Sequence, residues 1–157
     1  MLEVMRGSDA QYLRERAAQS QNALIYRARD SQQRLNSMNV NVGVDATTQI
    51  DAFSAMNPEE VASIAAFVCD AFTTEMQSFG ALAVCTRHEV VTLENRGVLV
   101  LHQEMTVPER GVDNRRMIAL IPSDGMLFTL SMSVTRADYD GATLRTILAS
   151  IDLPSGI

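Results

Sequence analysis

A chain of 157 residues with 46% hydrophobic and 20% charged residues has the composition of one globular domain, long enough for a single core and too apolar for wholesale disorder. The formal net charge of -6 and a pI near 4.8 argue against nucleic acid as a partner, since neutralising phosphates needs a basic surface. All 13 cations are Arg, which the codon bias of a GC-rich genome explains without a functional role.

The opening Met1-Leu2-Glu3-Val4-Met5-Arg6 has no apolar signal-type core, and no run approaches membrane-spanning length. As it stands the chain is expected in the cytoplasm, with an exported or envelope location as the alternative if a signal was removed upstream. Ser8 and Gln11 stand at capping-box spacing before good helix formers, which predicts a surface helix over 7–21. Two strands follow within 22–44. The first is the apolar run from Ala23, and in the second Met38, Val40, Val42 and Val44 alternate with polar or small residues. The stretch from Asp45 to Met56 has no period and reads as a connection with one helical turn.

The clearest helix signal spans 57–79. Asn57 stands as N-cap, Pro58 at the first helical position and Glu60 three residues after the cap. Val61, Ile64, Ala65, Val68, Phe72 and Met76 make one apolar stripe, and Gly80 closes it. Burying that stripe against a sheet is worth on the order of 10 kcal/mol before entropy.

Residues 82–135 read as a four-strand meander. Two four-residue links ending in Gly, Glu94-Asn95-Arg96-Gly97 and Pro122-Ser123-Asp124-Gly125, predict that Leu93 pairs with Val98 and Ile121 with Met126. In that register Val84, Thr86, Val90 and Thr92 share a core face with Leu99, Leu101, Met105 and Val107. The opposite, mixed face sets Arg87 across from Glu104 and Glu89 across from His102, among Val91, Val98 and Val100. In the second hairpin Met117, Ala119 and Ile121 group with Met126, Phe128 and Leu130. A last helix is expected over 138–151, capped by Asp138. The whole is one domain, 1–157, of α+β class: an antiparallel sheet of about six strands with helices packed on it.

Little of this carries chemistry. No Walker loop, dinucleotide fingerprint, nucleophile elbow or His-Glu-x-x-His occurs, so no catalytic residue, cofactor or metal is assigned. His88 and His102 fall on opposite faces, where they cannot share a metal, and His88 opposite Gln103 reads as a satisfied buried pair. Cys69 and Cys85 are too few for a disulfide framework and are expected as buried free thiols. Arg87, Glu89, His102 and Glu104 line a polar groove or, more commonly for such pairs, form a solvated cross-strand ladder.

Met38-Asn39-Val40-Asn41-Val42, the helix from Pro58, Val98-Leu99-Val100-Leu101, and the run from Leu127 to Ser133 through Tyr139 to Ile151 resemble the PsbP-like superfamily. It includes the photosystem PsbP subunit, DcrB-like envelope lipoproteins, a nuclear Ran-binding factor and type VI secretion effector chaperones. The usual opening strand with its Pro-x-Gly-Trp turn has no counterpart here. The resemblance implies an α/β/α sandwich and non-enzymatic work: an accessory protein that engages a protein partner through a sheet face or edge. The mixed face at Arg87, Glu89, Val91, Val98, Val100, His102 and Glu104 is the expected binding surface, so Val100→Asp is expected to abolish partner capture without unfolding the chain. The alternative is a small-molecule binder or hydrolase using Glu89, His102 and Glu104. Homodimerisation through a sheet edge is a third reading.

Overall fold

A computed structural model describes residues 23–29, 35–44, 47–139 and 141–149. The helix expected over 7–21 lies outside them. The described strands are β1 (Ala23–Arg29), β2 (Leu35–Val44), β3 (Leu82–Leu93), β4 (Arg96–Val107), β5 (Val112–Ser123) and β6 (Met126–Thr135). They lie in the order β1-β2-β6-β5-β4-β3, every neighbouring pair antiparallel. The antiparallel sheet with helices packed on it is therefore the architecture the residues adopt.

Helix α1 (Ala52–Ala55) is a single turn, and α2 (Pro58–Ser78) is the long helix. The Asn57 carboxamide accepts from the backbone N–H groups of Glu59 and Glu60, both at 3.0 Å, and Glu60 reaches back to the Asn57 N–H at 3.0 Å. This reciprocal cap satisfies donors that a helix start otherwise leaves orphaned. Val61 and Ala65 are buried, with Ile64, Val68 and Phe72 packed beside them, so the predicted stripe does face the sheet. Beneath it lie Phe53 of α1 and Leu99, Leu101, Ile118 and Leu120. The opposite sheet face buries Val98, Val100, Met117, Ala119, Ile121, Phe128 and Leu130, together with Leu148 from helix α3 (Gly141–Ala149). Asp138 belongs to a 3₁₀ turn, Arg136–Asp138, that precedes α3.

Both hairpin links are shorter than their sequences suggest. Leu93 pairs with Arg96 across Glu94-Asn95, and Ser123 pairs with Met126 across Asp124-Gly125. Each register is displaced by two residues from the expected one. Because side chains alternate with a period of two, that displacement preserves the faces. The left-handed residue of the second link is Gly125, as its type requires, but in the first it is Glu94, with φ 53°. Gly97 serves another purpose: a Cβ there would lie 2.8 Å from the Ser54 backbone nitrogen, so its absence lets α1 sit directly on β4.

A second departure matters more. Cys85 pairs with Gln103 and Arg87 with His102, leaving Thr86 as an extra, bulged residue whose hydroxyl donates to the His102 carbonyl at 3.3 Å. A bulge reverses facing beyond it. Val84, expected on the core face opposite Val107, lies across from Glu104 and is 63% exposed. Cys85 is turned instead toward α2, where it is disulfide-bonded to Cys69. The expectation of two free thiols is thus corrected: without the bulge, Cys85 would share the Arg87 and Glu89 face and point away from its partner.

Candidate functional site

His102 sits near the middle of β4 on the α3 side of the sheet, and it is buried. Its Nε2 lies 3.0 Å from Glu89 Oε1 on β3, and its Nδ1 lies 2.8 Å from the Tyr139 hydroxyl, just ahead of α3. A carboxylate only accepts, so Nε2 carries the proton and donates to Glu89, leaving Nδ1 to accept from the phenol O–H. Arg145 Nη2, one turn into α3, donates to both Glu89 oxygens at 3.0 Å, and Arg87 Nη2 is 3.6 Å from Oε1.

The electrostatics keep this tautomer neutral. Burial pushes the His102 pKa below its ordinary value; the bond to Glu89 opposes the shift, and the charges of Arg87 and Arg145 assist it. For Glu89 burial acts to raise the pKa, but hydrogen bonds from His102 and Arg145 and the two guanidinium charges overcome it, so the net displacement is downward. The carboxylate is ionised, the imidazole neutral and the phenol polarised. A carboxylate that orients an imidazole against a hydroxyl is the arrangement by which enzymes activate oxygen nucleophiles. Here it also clamps the segment leading into α3 onto the β3–β4 hairpin.

The sequence-derived group is divided by the structure. Glu89 and His102 are brought together, with Arg87 directly across from His102. Glu104 is elsewhere, paired with Arg115 at 2.8 Å and Arg136 at 3.5 Å, while Arg136 also meets Asp113 at 3.2 Å. Val98 and Val100 are core residues, Val100 only 2% exposed, and Val91 packs against the same cluster. A binding face running through those valines is corrected: the segment leading into and including α3 brings Tyr139, Arg145 and Leu148 onto this side of the sheet. His88 is not a buried partner of Gln103 either; it lies across from Leu101 on the edge strand, exposed. Tyr139 and Arg145 escaped sequence reasoning because they lie 37 and 56 residues from the groups they hold. The only local hint was a cation on a helix able to complement Glu89.

Among the described residues no group of three or more His, Cys, Asp or Glu side chains is placed to hold a metal, and no helix is long and apolar enough to cross a membrane.

The strand order and the helices on either face define a PsbP-like α+β fold. The solution structure of cyanobacterial PsbP (CyanoP) from Synechocystis sp. PCC 6803 superposes with a TM-score of 0.56 over 80% of this chain and 76% of that one, at 11% identity. No family model matches the sequence, and neither does any curated protein. At this identity the likeness carries the fold and not the activity.

Proposed function

We propose that this chain is a non-enzymatic accessory protein that captures a protein partner at the β3 edge of its sheet. The observation that carries the reading is where apolar surface is left over. Large hydrophobic side chains left exposed include Phe67, Phe79, Leu82, Val84 and Val90, on α2, its C-cap or β3. Phe79, Leu82 (60% exposed) and Val84 fall within six residues, beside the charged pairs of Glu104. An apolar patch rimmed by charge on the strand that ends the sheet of described strands suits strand addition with side-chain anchors.

The test compares proteins retained by the wild-type chain with those retained by a Leu82→Glu, Val84→Glu double variant. Loss of a specific partner at unchanged Tm supports the proposal, and identical retention refutes it. Light scattering on both forms tests a homodimer through the same edge.

The disulfide favours the exported or envelope location over the cytoplasmic one, because such bonds persist where the surroundings are oxidising. An envelope accessory protein of the DcrB-like kind, built as a sandwich of about six strands, is consistent with both features and takes precedence over a secretion-chaperone role. A small-molecule binder or hydrolase using Glu89 and His102 is the second reading, motivated by the polarised Tyr139 phenol. It predicts that the His102 ring resonances respond to a metabolite library; unmoved resonances eliminate it.

A further inference from the structure

On the opposite, α2 side of the sheet, Gln103 of β4 and Arg116 of β5 stand directly across from each other. Both are buried, at 1% and 8% exposure. The Arg116 guanidinium lies 4.7 Å from the centre of the Phe72 ring, and its Nε donates to the Ser131 hydroxyl at 2.6 Å. Gln103 reaches the hydroxyl of Thr73, the next residue of α2, at 3.4 Å. Cross-strand partners on one face have Cβ atoms about 5 Å apart, and both side chains extend to the same turn of α2.

What remains is unusual for a protein interior. Arg116 Nη1 is buried with no hydrogen-bond partner, and so is Gln103 Oε1. No carboxylate forms an ion pair with Arg116 among the described contacts; Glu75 acts on it only at a distance, against a burial that disfavours the cation. An unpaired interior charge costs several kcal/mol and persists where something supplies the opposite charge. The two ends of a carboxamide are interchangeable in such a site, since the Thr73 hydroxyl donates as readily as it accepts. With the Gln103 amide turned over, Thr73 satisfies its oxygen, and Nε2 joins Nη1 as a second unpartnered donor beneath the same turn of α2.

We propose that Gln103 and Arg116 form a binding site for a small oxyanion, a carboxylate or phosphate group. Phe72 and Ser131 fix the plane of the guanidinium, and the turned Gln103 amide supplies the second donor. The site is separate from the β3 edge and from the His102 network, so it stands whether or not a protein partner binds there.

The test measures Tm in phosphate and in acetate against chloride at constant ionic strength. Specific binding gives a saturable rise, on the order of 3 to 6 °C at tenfold excess over Kd, and the more effective anion identifies the ligand group. Arg116→Gln abolishes the rise. Because that variant risks misfolding, Gln103→Glu is the decisive companion: it places a carboxylate beside Arg116, so it stabilises the protein in chloride and removes the anion response. A wild-type response no larger than that of chloride, or a Gln103→Glu protein that keeps its phosphate response, overturns the proposal and leaves the two orphan atoms to a buried water.

Discussion

Breaking the Cys69–Cys85 bond is the sharpest perturbation the fold offers, because it separates α2 from the edge strand without touching the sheet core. The two cysteines are 16 residues apart in sequence. For a loop of that size the chain-entropy estimate of what the cross-link contributes is about 3 kcal/mol. In a domain of this length that corresponds to a Tm lower by roughly 6 to 12 °C. The assay is thermal unfolding followed by circular dichroism, for the oxidised protein, the reduced protein and a Cys69→Ala, Cys85→Ala double variant. The variant should melt with the reduced wild type and ignore reductant. Hydrogen exchange should rise at Ala83 to Arg87, where the strand loses its tether. Should the native, air-oxidised protein alkylate at both cysteines, or melt at one temperature with and without reductant, the bond and the bulge geometry that aims Cys85 at α2 are both refuted.

Acid should loosen the clamp on α3. His102 titrates below its ordinary 6.5 in the folded chain, so the unfolded state takes up the proton first, and stability is lost as pH falls from about 6.5 toward the folded value. Glu89 is also displaced below its ordinary 4.5, so its contribution, present above that value, is lost with further acidification. Tm should therefore fall monotonically below about pH 6.5, and His102→Gln should flatten the upper part of that slope; a wild-type profile flat from pH 7 to 5 contradicts the assignment. Val100→Asp should abolish the cooperative transition, since burying a carboxylate in the α3-side core costs roughly 5 kcal/mol or more against a total stability of about 5 to 15; a folded variant would return Val100 to the surface. Gly97→Ala should cost about 1 to 3 kcal/mol, and adding Ser54→Ala should not restore it, because the atom it meets is the Ser54 backbone nitrogen. Urea unfolding of the single and double variants reads both.

The faces of the meander were legible because an error of two residues is harmless to a period of two. Reading four-residue links where the chain makes two-residue ones moved every partner, yet Ala119 still shares a face with Leu130 and Leu101 with Val90. The capped helix from Pro58 was equally plain, since its cap, first turn and stripe are local signals. What was not legible is the bulge at Thr86. One extra residue has no signature in the run Val84 to Val91, and the partner that Cys85 meets once it is turned, Cys69, lies on another element. The same holds for His102. Its neighbours on β4 announced a mixed face, but whether that face met water depended on a segment more than thirty residues later, which supplies Tyr139 and Arg145.

The bulge links the disulfide to the proposed binding edge. On the hairpin side of Thr86, β3 is guarded as exposed edges usually are: Arg87 and Glu89 are charged, and Arg145 holds Glu89 down. On the other side the facing is reversed, so the turn that brings Cys85 inward to α2 also sends Leu82 and Val84 outward. An ungapped strand would have buried those two apolar side chains and stranded the thiol on the wrong face. The apolar patch and the cross-link are therefore two results of one inserted residue, and the bond holds the strand in the conformation that displays the patch. A partner that pairs with β3 would meet an edge already fixed to α2, with less strand entropy to lose on binding than a free edge carries.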